Sequence, residues 1–308
     1  MNEEISSLKG KLSHLASNPT TSRGRLYSEV IDPTRTDFQR DRDRIIHSSA
    51  FRRLKYKTQV FVYHEGDNYR TRLSHSLEVS QIARSISRFL GLNEDLTETL
   101  ALAHDLGHTC FGHAGEDALK ECMKSYRGFD HNVQTFRIVT EIEHPYPKFD
   151  GLNLTWETLE GLAKHNGPQI NRNVDQGILL TFSNYSRSHD LELSNFASAE
   201  AQIAAIADDI AYNAHDIDDG LRASLFSIDD LFSVPLVGPI ARRVEEEYSN
   251  IDRPRRVHEL VRRLIKKMVN DVIYETVKRN NDCSLENKDE VHELGKPLVG
   301  FSDEMSAN

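Results

Sequence analysis

The sequence predicts an all-α fold built as one globular domain. Three observations carry that expectation. Apolar residues recur at helical spacing through most of the chain, only one short run alternates like a strand, and no repeat or linker divides the 308 residues. A chain of this length can bury a substantial core.

Residues 1–22 are polar and weakly patterned and read as a flexible N-terminal arm, leaving 23–308 as the folded domain. Residues 59–63 have strand character and leave room for a short β-hairpin. Leu77, Ile82, Ala83, Ile86, Phe89 and Leu90 lie near helical spacing, and Gly91 supplies a C-terminal stop. Residues 94–106, 113–126, 129–143, 156–165 and 196–220 read as further helices. The stretch 168–195 mixes Asn, Ser, Gly and Arg and reads as loops with short helical turns. Pro254 fits the first turn of a helix whose Val257, Leu260, Val261, Leu264, Ile265, Met268, Val269 and Val272 form a wide apolar stripe.

With 28% charged and 38% hydrophobic residues, the composition is that of an ordinary soluble globular protein. The start Met1-Asn-Glu-Glu lacks a basic segment followed by an apolar run, so no signal peptide is expected. The apolar stretches are too short to cross a bilayer, and no membrane association is expected. Cys110, Cys122 and Cys283 share no paired spacing, which suits free thiols in a reducing cytoplasm. A formal net charge of -10 argues against a general nucleic-acid coat. The cations nevertheless cluster at Arg40, Arg42, Arg44, Arg52, Arg53, Lys55 and Lys57, and again over 253–267. Each cluster reads as a solvated helix face or as a wall for a small polyanion, and the first leaves room for single-stranded nucleic acid.

The chemistry concentrates around His104-Asp105, two potential metal ligands where a helix ends. His75 lies upstream at the start of one helix, and Asp208 or Asp209 lies downstream on another. A lone histidine is most often a hydrogen-bonded structural residue. Four donors brought together from three helices instead suit one divalent cation. Imidazole plus carboxylate, without thiolate, fits Mn²⁺, Mg²⁺, Fe²⁺, Ni²⁺ or Zn²⁺. Gly107 and Gly112 let the backbone turn tightly, so His108 and His113 can fold back toward the metal. Glu116 follows His113 by one helical turn, where a carboxylate can orient an imidazole, and His131 opens another helix. Three imidazoles beside a metal point to phosphate binding and proton transfer near neutral pH. Asp208, Tyr212 and Asp216 form one polar stripe, which reads as an acidic solvated face or as a substrate wall.

These motifs resemble a known family. Phe51-Arg-Arg-Leu-Lys, Thr71-Arg-Leu-Ser-His, His104-Asp-Leu-Gly-His with the following Phe111-Gly-His-Ala-Gly-Glu, and Ala207-Asp-Asp-Ile-Ala-Tyr stand in the order found in the HD-superfamily deoxynucleoside triphosphate triphosphohydrolases. The chain is most similar to the bacterial dGTPase-like branch, from about residue 25 to about residue 305. The resemblance implies a helical HD-domain fold and hydrolysis of a deoxynucleoside triphosphate to deoxynucleoside and inorganic triphosphate. It implies His75, His104, Asp105 and Asp208 as metal ligands. Asp208 is preferred to Asp209 because the family's tyrosine follows its metal aspartate by four. His113 with Glu116 would be the catalytic pair, and His131, counted with them, would contact the α-phosphate together with His108. Arg72 would bind phosphate, Gln59 would lie by the sugar 3′-hydroxyl, Tyr212 would stack under the deoxyribose, and Asp216 would line the pocket. Relatives are often homo-oligomers, commonly hexamers, and a second nucleotide acting as a regulator belongs to the same expectation. Bacterial members usually continue past 295–302 with a further helical portion, so the resemblance implies a shortened C-terminal region here.

Overall fold

A computed structural model describes residues 5–62, 69–126, 128–170 and 176–307. They form α1 (Asp37–His47), α2 (Ser49–Arg53), α3 (Arg72–Leu90), α4 (Glu94–Ala103), α5 (Gly112–Cys122) and α6 (His131–Arg137). There follow α7 (Trp156–Ala163), α8 (Gln176–Ser186), α9 (Ala199–Arg222), α10 (Val237–Glu247), α11 (Arg253–Cys283), α12 (Lys288–Glu293) and α13 (Asp303–Ser306). The all-α expectation holds: among the described residues there is no strand, only isolated bridges between Arg25 and Thr155 and between Thr58 and Thr71. The strand expected over 59–63 is therefore corrected for its described part, and Tyr63 lies outside the described residues. Among the described residues, 59–62 pair with no strand, and the Arg72 N–H donates to the Lys57 carbonyl just before them, at the start of α3.

Helices α3, α4 and α9 pack against one another at the centre, with α1 across α4 and α11 against α9. Local signals set their ends. The Thr36 hydroxyl accepts from Gln39 N–H in a capping box at α1. Ser198 caps α9 and Asp252 caps α11, whose Pro254 lies in the first turn as the sequence suggests. Gly91 ends α3 at φ 87°, a left-handed conformation that glycine adopts without strain. Val79, Ile82, Ala83, Ile86 and Leu90 line the buried face of α3, whereas Leu77, read into the same stripe, is 51% exposed.

The N-terminal segment is not a loose arm over its described residues. Leu12 and Leu15 are fully buried. Gly10 and Leu12 N–H groups donate to the Phe89 and Leu90 carbonyls, satisfying acceptors that the end of α3 leaves open. Ser17 is tied by its N–H and hydroxyl to the buried Glu200 carboxylate on α9. The 168–195 region likewise differs from a run of loops, since it contains the eleven-residue helix α8, whose Phe182 packs edge-on to Phe136 of α6. The helix expected over 129–143 changes hand-hold at Ile138, passing from α6 into a π-helical turn through Ile142.

Candidate metal centre

The N-terminus of α3, the C-terminus of α4 and the middle of α9 bring His75, His104, Asp105 and Asp208 together. His75, His104 and Asp105 are 1%, 4% and 3% exposed, and one potential ligand atom from each lies within 4.8 Å of the others. Asp208 Oδ1 lies 2.8 Å from His75 Nε2 and 3.4 Å from His104 Nε2. Of the two aspartates that spacing alone left open, Asp208 is the one that meets His75 and His104, while Asp209 is exposed.

The geometry fits a divalent cation. His104 Nδ1–H donates to the Ala101 carbonyl at 2.7 Å, which fixes its tautomer and directs Nε2 into the cluster. That Nε2 is buried and has no hydrogen-bond partner. Burial alone would push the His104 imidazolium down, but Asp105 and Asp208 outweigh it and raise the group to about 9. Both carboxylates are held below their ordinary range against their burial, chiefly by His104. A pocket that draws so strongly on a proton is one that calls for positive charge, and a metal ion supplies it with better geometry.

Arg72 opens α3 beside these ligands, its Nη1 donating to Asp105 Oδ2 at 2.7 Å. The other predicted residues gather along the same wall. His108 stacks on His131 with ring centroids 4.5 Å apart and meets His113 edge-on at 5.4 Å. A Cβ on Gly112 would stand 3.2 Å from the Gln59 carbonyl and 3.7 Å from Arg72 Nη2, so Gln59, Arg72 and the start of α5 meet. Asp216 is raised by burial, opposed by a hydrogen bond from Tyr212 and by the charges of His215, His75 and His113. Tyr212 is 38% exposed.

Two details differ from the spacing argument. Glu116 pairs with His131, not with His113: both its oxygens lie 3.0 Å from His131 Nδ1, and Oε1 also accepts from the His131 backbone N–H at 3.2 Å. This holds the Glu116 carboxyl down at about 2 against its burial. His113 stands exposed at the rim. Gly112 does make a left-handed turn, at φ 56°, but Gly107 serves close approach, since a Cβ there would be 2.2 Å from both the His131 carbonyl oxygen and Thr135 N.

Sequence reasoning missed two imidazoles and read one cation, Lys57, only as part of a charge cluster. His165, at the end of α7, lies 3.8 Å from Asp208 Oδ2 and stacks on His104 at 5.5 Å. His215 backs His75, with the two Nδ1 atoms 3.2 Å apart. Lys57 Nζ donates to the Leu106 carbonyl at 2.9 Å, within the field of Asp105. His215 alone left a signal, standing two helical turns after Asp208 on the same face.

Several of the clustered arginines are committed to carboxylates. Arg40 meets Asp37, Arg42 meets Asp95 and Glu98, and Arg44 meets Glu29. In the second cluster Arg256 meets Glu245, while Arg262 and Arg263 meet Glu259. These ion pairs fit the helix-face alternative for the arginines they engage, while Arg52, Arg53 and Lys55 stand exposed and Arg262, Arg263, Lys266 and Lys267 line one cavity.

The buried His108 gives a test of the site by pH. Burial first, then the nearby Arg72 and His131, lowers it from 6.5 to about 3. Between those values the unfolded chain takes up a proton that the fold refuses, so stability present above the upper value is lost progressively on acidification. Thermal melts from about pH 7 to about pH 5 are expected to fall less in His108→Gln than in the parent. Parallel declines would remove His108 as a source of the pH dependence.

An all-helical core presenting His…His-Asp…Asp from three helices defines an HD-domain protein, and the HD domain family model matches residues 72–213. The chain is 61% identical over 292 residues to a deoxyguanosinetriphosphate triphosphohydrolase-like protein of Parvibaculum lavamentivorans, covering 94% of this chain and 74% of that relative. Proteins of the same description from Nitrobacter hamburgensis and Brucella canis are 58% and 59% identical, covering 93% and 95% of this chain and 72% and 73% of theirs. The chain belongs to the deoxyguanosinetriphosphate triphosphohydrolase-like family of HD-domain proteins. No helix among the described residues is long and apolar enough to cross a membrane.

Proposed function

We propose that the protein hydrolyses deoxynucleoside triphosphates, dGTP-like substrates among them, to deoxynucleoside and inorganic triphosphate. One observation carries this reading. Gln59 Oε1, Arg72 Nε, His104 Nε2, His108 Nδ1 and Asp216 Oδ1 are all buried and all lack a hydrogen-bond partner, and they belong to residues of one wall. Buried polar atoms are ordinarily paired. Several unpaired together mark the place of a polar ligand, here one with acceptors for an arginine and imidazoles and with hydroxyls for an amide and a carboxylate.

His75, His104, Asp105 and Asp208 would hold the divalent ion, which when bound supplies Lewis-acid polarisation of a phosphoryl oxygen. Arg72, already anchored on Asp105, offers its remaining donors to phosphate. His108 and the Glu116–His131 pair line the α-phosphate position, with Glu116 fixing the His131 ring by its Nδ1. Expelling a 5′-alkoxide requires a proton, and His113 at the exposed rim is the imidazole placed to donate it. Tyr212, partly exposed, would stack under the deoxyribose, where a 2′-hydroxyl would crowd it, and Gln59 and Asp216 would lie on the sugar side.

The test is a panel of the four dNTPs with Mn²⁺ or Mg²⁺, with and without a second nucleotide, and separation of the phosphate products. Tripolyphosphate with the free deoxynucleoside is expected. Pyrophosphate or orthophosphate as the primary product would reject the reading.

A further inference from the structure

His75 uses both ring nitrogens. Nε2 lies 2.8 Å from Asp208 Oδ1 inside the metal pocket, and Nδ1 lies 3.2 Å from Nδ1 of His215 behind it. His215 is buried, and its Nε2 lies 2.9 Å from Glu78 Oε2. Arg70 closes the line. Its Nε donates to Glu78 Oε2 at 2.9 Å, while Nη1 lies 2.8 Å from Asp219 Oδ1 and 2.9 Å from Asp218 Oδ2. Helix spacing explains the meeting: Glu78 follows His75 by three residues on α3, and His215 follows Asp208 by seven on α9, so each pair shares a face.

We propose that His215 and Glu78 form a relay that fixes the tautomer and ring orientation of His75 so that Nε2 faces a divalent cation. The relay rests on the metal-centre reading above. A ligating imidazole must offer a bare nitrogen, and its other nitrogen is then the donor. Two Nδ1 atoms facing each other bond only when one carries hydrogen and the other does not. With Nε2 of His75 bare, the ring hydrogen sits on its Nδ1 and donates to His215 Nδ1. His215 therefore carries its hydrogen on Nε2 and donates to Glu78, whose carboxylate Arg70 holds in place. No other assignment of two neutral rings satisfies both contacts and keeps His75 Nε2 bare. His215 and Glu78 are positioning residues that act through His75.

Mn²⁺ titrated calorimetrically into the chelator-stripped full chain tests this without reference to turnover. His215→Ala removes the acceptor and is expected to weaken Mn²⁺ binding about 10- to 100-fold. His215→Asn, whose amide oxygen can stand where Nδ1 stood, is expected to recover most of that loss. Glu78→Gln, on a half-exposed side chain that threatens folding least, is expected to weaken binding about 10-fold. Circular dichroism checks that each variant is folded. Unchanged affinity in Glu78→Gln and His215→Ala overturns the relay, as does an asparagine variant no better than alanine. A parent chain that binds no Mn²⁺ overturns the metal-centre reading itself, and the relay with it.

Discussion

Asp105→Ala is expected to abolish bound divalent metal and turnover together. Asp105 is the most enclosed carboxylate of the cluster, 3% exposed, and it faces His104 on one side and the Arg72 guanidinium on the other. Removing it takes away a metal ligand and leaves Arg72 buried beside no anion. Breaking a buried pair in this way costs about 3–5 kcal/mol, so the melting temperature should fall as well. Asp105→Asn keeps the shape and one acceptor for Arg72, and separates the two effects: it should fold more stably than the alanine variant and still lose the metal. Elemental analysis of the purified proteins reads the outcome. Full metal occupancy in either variant would contradict the assignment of Asp105 as a ligand.

His113→Ala is expected to lower the rate by roughly 10²–10⁴-fold while metal and substrate still bind, the range for loss of a general acid. Its placement explains why the loss falls on rate alone. Phe111 at φ 65° and Gly112 at φ 56° turn the chain sharply into α5, which leaves His113 at the rim, edge-on to His108, with no buried contact to forfeit. Glu116 behaves differently, because its partner is His131. Glu116→Gln and His131→Ala should each reduce activity, and the double variant should be little worse than the poorer single one, since both changes disable one hydrogen-bonded unit. Additive losses would show that Glu116 acts through another residue. An unaltered rate in His113→Ala would remove His113 from the mechanism.

The candidate ligand cluster was legible in part because His104 and Asp105 are adjacent in the chain, whereas the choice of Asp208 over Asp209 came from the family resemblance and not from spacing. Helix ends were legible for the same reason at Gly91 and Pro254. What failed depended on tertiary approach. Glu116 stands one turn from His113, yet the chain returns after Gly128 to lay His131 on the carboxylate, and nothing local announces that meeting. His165 reaches Asp208 only because α7 packs near α9. Residues 59–61 carry strand-like side chains but have no partner strand among the described residues. The N-terminal segment did leave a sign, since Leu8, Leu12 and Leu15 have helix-like spacing, and its polar remainder obscured it. The arginine runs were the least legible, because a list of charges does not say which carboxylates fold against them.

The central claim is that this wall cleaves the bond between the α-phosphorus and the 5′-oxygen of a deoxynucleoside triphosphate, with water attacking phosphorus. Turnover of dGTP in ¹⁸O-labelled water, followed by mass spectrometry of both products, tests it most directly. The label is expected in the inorganic triphosphate, with none in the deoxynucleoside. Label in the deoxynucleoside, or its appearance in pyrophosphate or a nucleoside monophosphate, would contradict it.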